Sequence, residues 1–178
     1  MRRLLLDGLL HRPLTEPPPV PDDAALAELT QALARAARRR LGRSLSLRLV
    51  DAGSCNACEL ELNALGNPYY DLDRFGIRFV ASPRHADMLL VTGPVTRNMA
   101  EALRRTYDAM PAPKWVVAVG GCAIDGGCFA RSPAVLGGVH QALPVDLTIP
   151  GCPPSPTALL RGLLALLEQA DAGKMEKT

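Results

Sequence analysis

The sequence is short of aromatic residues: one Trp, three Tyr and three Phe make up 4% of 178 residues. A core large enough for one domain must therefore be built mostly from Leu, Val and Ala. A surplus of charge is also missing. The formal net charge of +2 excludes a strong global pull toward nucleic acid or acidic substrates. No stretch approaches the roughly 20 apolar residues that a bilayer span needs. Met1–Leu10 opens with two Arg and then Leu4–Leu6, but Asp7 and Gly8 interrupt it and no small-residue cleavage site follows, so a signal peptide is not expected. No nucleophile–base set stands out, and no Walker or Rossmann glycine pattern follows a strand. Without a secretory signal, an odd count of five Cys argues against a disulfide framework and for reduced thiols that bind a metal or cluster.

Charge and proline are concentrated at the start. Residues 1–43 carry eight Arg and five acids, a net +3 against +2 for the whole chain, which leaves −1 for the rest. This basic segment either meets a partner or anionic lipid or is a solvated helix face. Pro13, Pro17, Pro18, Pro19 and Pro21 make residues 11–21 an extended linker. Asp22 or Asp23 can then cap an amphipathic helix with Leu26, Leu29, Leu33 and Ala37 on one face. Arg38–Arg40 suit its negative end and Gly42 its stop. The domain organisation that follows is an N-terminal linker and accessory helix over 1–43, an α/β domain over 44–170 and a polar tail over 171–178.

Within the domain, strands are expected at Ser46–Asp51, Ile77–Ala81, Met88–Thr92, Trp115–Val119 and Val145–Ile149. Helices are expected at Glu59–Leu65, Arg97–Met110 and from Pro156, capped by Ser155, to about Gln169. Short apolar strands alternating with helices imply a mostly parallel sheet covered on both faces. Ligands in such sheets bind beyond the carboxyl ends of the strands.

That rule gives the cysteines meaning. Cys55 and Cys58 follow the first strand, Cys122 the fourth and Cys152 the fifth. All lie in strand-to-helix loops, so a parallel sheet brings them to one edge. Gly53, Gly120-Gly121, Gly126-Gly127 and Gly151 let backbone approach a bulky inorganic core and aim N–H groups at its sulfides. C-x-x-C lets two thiolates of one turn reach two metals, and Cys followed by Pro recurs at iron–sulfur ligands. The pattern points to one 4Fe–4S cluster on Cys55, Cys58, Cys122 and Cys152. Spacing alone leaves open a structural zinc in an interaction module, and buried or redox-active thiols.

At these residues the sequence resembles the 20-kDa iron–sulfur subunit family of respiratory complex I and the small subunits of nickel–iron hydrogenases. The matching strings are Asp51-Ala-Gly-Ser-Cys-Asn-Ala-Cys-Glu-Leu-Glu61, Ser82-Pro-Arg-His-Ala-Asp87, Thr92-Gly-Pro-Val-Thr96, Gly120-Gly-Cys122 and Ile149-Pro-Gly-Cys-Pro-Pro-Ser-Pro156, spread over about residues 43–168. Complex I members typically have two adjacent cysteines at the first site. The pair Cys55-Asn-Ala-Cys58 is more similar to the membrane-associated, energy-converting hydrogenases, including the small subunit of formate hydrogenlyase. The resemblance implies a flavodoxin-like three-layer fold and electron transfer through the cluster nearest the active site of a large catalytic subunit. That subunit would be of nickel–iron hydrogenase type or, alternatively, of complex I quinone-reductase type. It also implies a ferredoxin-like iron–sulfur subunit and membrane subunits as partners, and a cytoplasmic place on the inner face of the membrane. The chain would be an oxidoreductase subunit with no nucleophile of its own.

Other residues have two readings each. Glu59 and Glu61 are candidates for a proton relay beside the redox site, or interact with a helix N-terminus or a subunit salt bridge. Arg84 is a candidate to screen an anionic cluster or bind a partner. His85 is a redox-linked proton site or a hydrogen-bonded turn histidine. Thr92 and Thr96 either donate to the cluster or cap the helix near Arg97. Trp115 is a core residue by default, with electron tunnelling as the alternative. Cys128, six residues past Cys122, is expected to be a small buried hydrophobe, although it is close enough in sequence to reach a cluster.

Overall fold

The computed structural model describes residues 23–175. The proline-rich stretch 11–21 and the basic start before it lie outside the described residues. The described chain opens with helix α1 (Asp23–Leu41), whose last turn carries Arg38, Arg39 and Arg40. Its apolar stripe buries Leu33, Ala36 and Ala37 in the same core as strand β1 (Leu45–Asp51) and the C-terminal helix α5 (Pro156–Met175). The expected accessory helix thus packs on its own chain. Full burial of Leu33 alone contributes about 1.5–3 kcal/mol.

Strands β1, β2 (Ile77–Phe79), β3 (Met88–Thr92), β5 (Trp115–Val119) and β7 (Leu147–Ile149) form one parallel sheet in the order β2-β1-β3-β5-β7. Taken in chain order these strands run 2-1-3-4-5, the doubly wound flavodoxin-like arrangement. The central runs β3 and β5 are buried at every position, as parallel strands covered on both faces must be. One face carries Leu45, Leu47, Met88, Leu90, Val117 and Val119, packed under α1, α2 (Ala57–Ala64) and α5. The other carries Val50, Leu89, Val91, Val116 and Ala118, covered by α3 (Arg97–Asp108) and the short α4 (Gly121–Asp125). The expected α/β fold with an N-terminal helix is the fold observed.

Several boundaries differ. The first helix after β1 starts at Ala57, two residues early, because Asn56 takes a left-handed conformation that starts the turn inside the C-x-x-C. Strands β2 and β7 are three residues each, shorter than expected. A two-stranded antiparallel ladder, β4 (Val95–Thr96) with β6 (Val135–Gly137), was not expected. Helix α5 continues to Met175, so the tail expected from Asp171 is helical over its first part. No proline interrupts residues 157–175 and the stretch is rich in helix formers.

Ser155 caps α5 as expected: its Oγ accepts the Ala158 N–H at 3.3 Å. A bidentate pair ties β1 to β3 at the amino edge of the sheet. Arg43 donates to both carboxylate oxygens of Asp87, at 3.0 and 2.5 Å, and Asp87 also accepts the Ser46 N–H at 2.9 Å. No helix among the described residues is long and apolar enough to cross a membrane.

A cysteine rim at the carboxyl edge of the sheet

The strand order reverses between β1 and β3, and the loops leaving these strands diverge there to opposite faces of the sheet. In doubly wound folds this crevice is where ligands bind. Cys55 lies in the loop after β1, and Cys58 is in the first turn of α2. Cys122 is in α4, just after β5, and Cys152 is in the loop after β7. All four cysteines therefore sit on the carboxyl edge of one sheet, after β1, β5 and β7, as the parallel topology requires.

Backbone hydrogen bonds join these loops. Gly120 N–H donates to Ile149 O, and Gly121 N–H to Gly151 O, both at 2.8 Å, which fastens the Cys122 turn to the Cys152 loop. Gly120 has φ +87°, and a Cβ placed on it would lie 2.6 Å from Cys58 Sγ. Only glycine can both adopt that backbone and leave the sulfur its space. Gly127, with φ +51°, likewise leaves room for Cys122 Sγ, 2.8 Å from where its Cβ would be. The Cys152–Pro153 peptide is cis.

The sulfurs act on one another. Burial pushes the Cys58 thiol up to about 11, and the Glu59 carboxylate and the thiols of Cys122, Cys55 and Cys152 add to the shift in that order. Burial also raises the Cys122 thiol, followed by Cys128, Cys152 and Cys55. No three His, Cys, Asp or Glu side chains among the described residues meet closely enough to hold a single metal ion. The four sulfurs are neighbours along a rim, not ligands gathered at one point. Soft thiol donors on separate loops, backed by glycines that keep Cβ atoms out, fit an iron–sulfur cluster.

Glu59 belongs to the rim and Glu61 stands apart from it. Glu59 is 6% exposed. Its carboxylate accepts the Ser54 hydroxyl at 2.5 Å on Oε2 and the Thr92 hydroxyl on Oε1. Two residues along a helix turn the side chain by about 200°, so Glu61, half-buried, leaves α2 in another direction. Ser54 is a residue the sequence did not single out. Its Oγ donates to Glu59 and accepts the Asn56 N–H at 2.9 Å, while its own N–H and that of Gly53 donate to Asp51 Oδ1 at 2.7 Å. The signal was an Asp two and three residues before a Gly-Ser pair, the pattern of an Asx turn.

The remaining candidates are placed elsewhere. Arg84 and His85 form the turn before β3, and Trp115 begins β5. All three are at the amino edge, opposite the cysteines, with a strand of five residues, about 16 Å, between. Screening of a cluster by Arg84, a redox-linked proton on His85 and tunnelling through Trp115 do not fit that placement. Trp115 instead packs in the core with the Arg40 guanidinium 5.9 Å from its ring centre. Thr92 is engaged by Glu59. Thr96 caps α3, accepting the Met99 N–H at 3.3 Å and donating to Ala52 O at 3.0 Å. Cys128 is exposed, not buried. Gly126 (φ +94°) and Gly127 (φ +51°) turn the chain back over α4, and Cys128 on that turn faces solvent.

Residues 55–166 match the family model described as NADH ubiquinone oxidoreductase, 20 Kd subunit. The match starts at Cys55 and runs past Cys152, so it takes in the whole rim. The chain belongs to this family. As a member of the 20 Kd subunit family it is an oxidoreductase subunit. It is 46% identical over 129 residues, 72% of this chain and 77% of the relative, to a protein of Pyrococcus furiosus described as a probable membrane-bound hydrogenase subunit, mbhJ. A chain in the solved structure of the membrane-bound sulfane sulfur reductase, an archaeal respiratory membrane complex, also shares its fold. The TM-score is 0.66 at 35% identity, and the match covers 80% of this chain and 77% of that one.

Proposed function

We propose that this chain holds one 4Fe–4S cluster on Cys55, Cys58, Cys122 and Cys152 and serves as the electron-transfer subunit of a membrane-bound hydrogenase-type complex. The observation that carries the reading is the set of four thiols on one sheet edge, backed by glycines that leave their sulfurs room. The association of the 20 Kd subunit family with iron–sulfur clusters in its complexes supports it. So does the likeness to a probable membrane-bound hydrogenase subunit. When bound, the cluster would take up and release one electron at a time.

The protein's own residues have defined parts. The four cysteines supply anionic sulfur from three loops, so no single loop movement releases the group. Gly120 and Gly127 keep carbon away from the sulfurs. Ser54 and Thr92 hold the Glu59 carboxylate at the edge, where it can take or give a proton as the charge beside it changes. Glu61, turned elsewhere, is not assigned that part. Exposed Cys55, Cys128 and Cys152 put the rim at the surface, where a large catalytic subunit would dock. The ferredoxin-like and membrane subunits would complete the assembly, placing the chain peripherally at the inner face of the membrane.

Cysteine replacement in the intact complex tests the ligand set. Serine at position 55, 58, 122 or 152 is expected to remove most of the iron assigned to this subunit, and Cys128→Ser to leave it. Equal loss from Cys128→Ser would mean that the fourth ligand is misassigned. A partner subunit without two C-x-x-C nickel-ligand pairs would redirect the assignment to a quinone-reducing complex and leave the cluster standing.

A further inference from the structure

We propose that Ser54 and Asn56 are positioning residues for the Cys55–Cys58 pair: the Ser54 hydroxyl holds a left-handed turn at Asn56 that sets the two thiols relative to each other before any cluster binds. The consequence for iron rests on the cluster reading above; the turn itself is a property of the chain alone.

Asn56 stands at the N-cap position of α2 but does not work as an ordinary cap. Such residues usually have extended backbone and lend a side-chain oxygen to a helix N–H. Asn56 instead has φ 71° and ψ −2°, and its side chain makes no capping bond. Its carbonyl accepts the Leu60 N–H at 3.1 Å and so starts the helix. What asparagine offers here is tolerance of the left-handed region, which most other side chains avoid. Cys55 precedes this reversal and Cys58 follows it by two residues. The backbone at Asn56 therefore decides how the two thiols stand to one another.

Ser54 holds the reversal from the other side of Cys55. Its Oγ accepts the Asn56 N–H at 2.9 Å and donates to Glu59 Oε2 at 2.5 Å. One hydroxyl thus ties the residue before Cys55 to the turn and to the helix residue after Cys58. Ser54 is itself fixed. Its N–H and that of Gly53 each donate to Asp51 Oδ1 at 2.7 Å, and Asp51 is the last residue of β1. The turn after β3 closes over it: a Cβ on Gly93 would lie 2.4 Å from Ser54 N. Sheet, Ser54, Asn56 and α2 are joined around Cys55 by bonds that need no metal. A cluster would meet two ligands already arranged, which lowers the ordering that binding requires.

The test uses the full chain. In the reduced, cluster-free wild type, nuclear magnetic resonance should find the Asn56 amide exchanging with solvent at least about fivefold more slowly than in Ser54→Ala, which lacks the acceptor. Equal exchange would overturn the proposal. After anaerobic reconstitution with iron and sulfide, Ser54→Ala should release iron to a chelator at least about fivefold faster than wild type. Asn56→Val should release it at least about tenfold faster, because a β-branched residue resists positive φ. Asn56→Gly adopts that backbone freely and should stay within about twofold of wild type, with an unchanged paramagnetic signal from the reduced cluster. Wild-type retention by Asn56→Val, or release from Asn56→Gly as fast as from Asn56→Val, would overturn the proposal. Glu59→Gln leaves the Ser54–Asn56 bond and should release iron at the wild-type rate. Release as fast as from Ser54→Ala would mean that Ser54 acts only through the carboxylate, which also overturns it. Failure of reduced wild type to bind iron at all would instead refute the cluster reading, and exchange at Asn56 would still decide the turn.

Discussion

The Thr92 hydroxyl donates to Glu59 Oε1 between the end of β3 and the first turn of α2, where Glu59 directly follows Cys58. The neighbouring Oε2 accepts Ser54, so the carboxylate is fixed from both sides beside the thiols. In the intact complex, Glu59→Gln should lower proton-coupled turnover by at least about tenfold with the iron content unchanged. Glu61→Gln should change it little. Equal effects from the two would show that burial and position do not decide the proton path.

Gly120→Ala adds a methyl group where only 2.6 Å separates it from Cys58 Sγ, at a φ of +87°. Strain and overpacking together should cost about 2–4 kcal/mol. The expected result is a lower melting temperature and loss of bound iron. Gly42, at φ +70° with nothing near its Cβ position, is the control: Gly42→Ala should cost only about 1 kcal/mol and leave the iron in place.

Arg43→Ala removes both donors from the 2% exposed Asp87 carboxylate and leaves the Ser46 N–H. Thermal or denaturant unfolding should report a loss of about 1–3 kcal/mol. The pair lies at the amino edge, so iron content at permissive temperature should not change.

Two large apolar side chains stand out in solvent next to the rim: Leu60, 60% exposed on α2, and Phe129, 39% exposed beside Cys128. If the catalytic subunit docks on this edge, as proposed above, these two side chains are in its path. Leu60→Asp or Phe129→Asp should weaken co-purification with the partner subunits and leave the melting temperature of the chain nearly unchanged. Full retention of the partners by both variants would place the interface elsewhere.

The sheet and the cysteine edge were legible because both follow from simple rules. Met88–Thr92 and Trp115–Val119 read as unbroken apolar runs, which is what central parallel strands must be, and strand-to-helix loops of parallel strands share an edge. The same rule, applied to what precedes a strand, would have put Arg84, His85 and Trp115 on the far edge. The β4–β6 ladder was not legible, since two or three residues carry no alternation. Helix α4 was hidden because Gly-Cys-Ala-Ile-Asp between glycine pairs reads as loop. The exposure of Cys128 depends on two consecutive left-handed glycines, and the choice of Glu59 over Glu61 on the register of α2; neither is set by composition.

Metal and sulfide analysis of the anaerobically purified protein, joined to electron paramagnetic resonance after reduction, tests the cluster most directly. The account predicts brown protein with about four irons and four acid-labile sulfides per chain for this site, and a paramagnetic signal when reduced. Colourless protein carrying stoichiometric zinc, made in iron-replete cells, would contradict it.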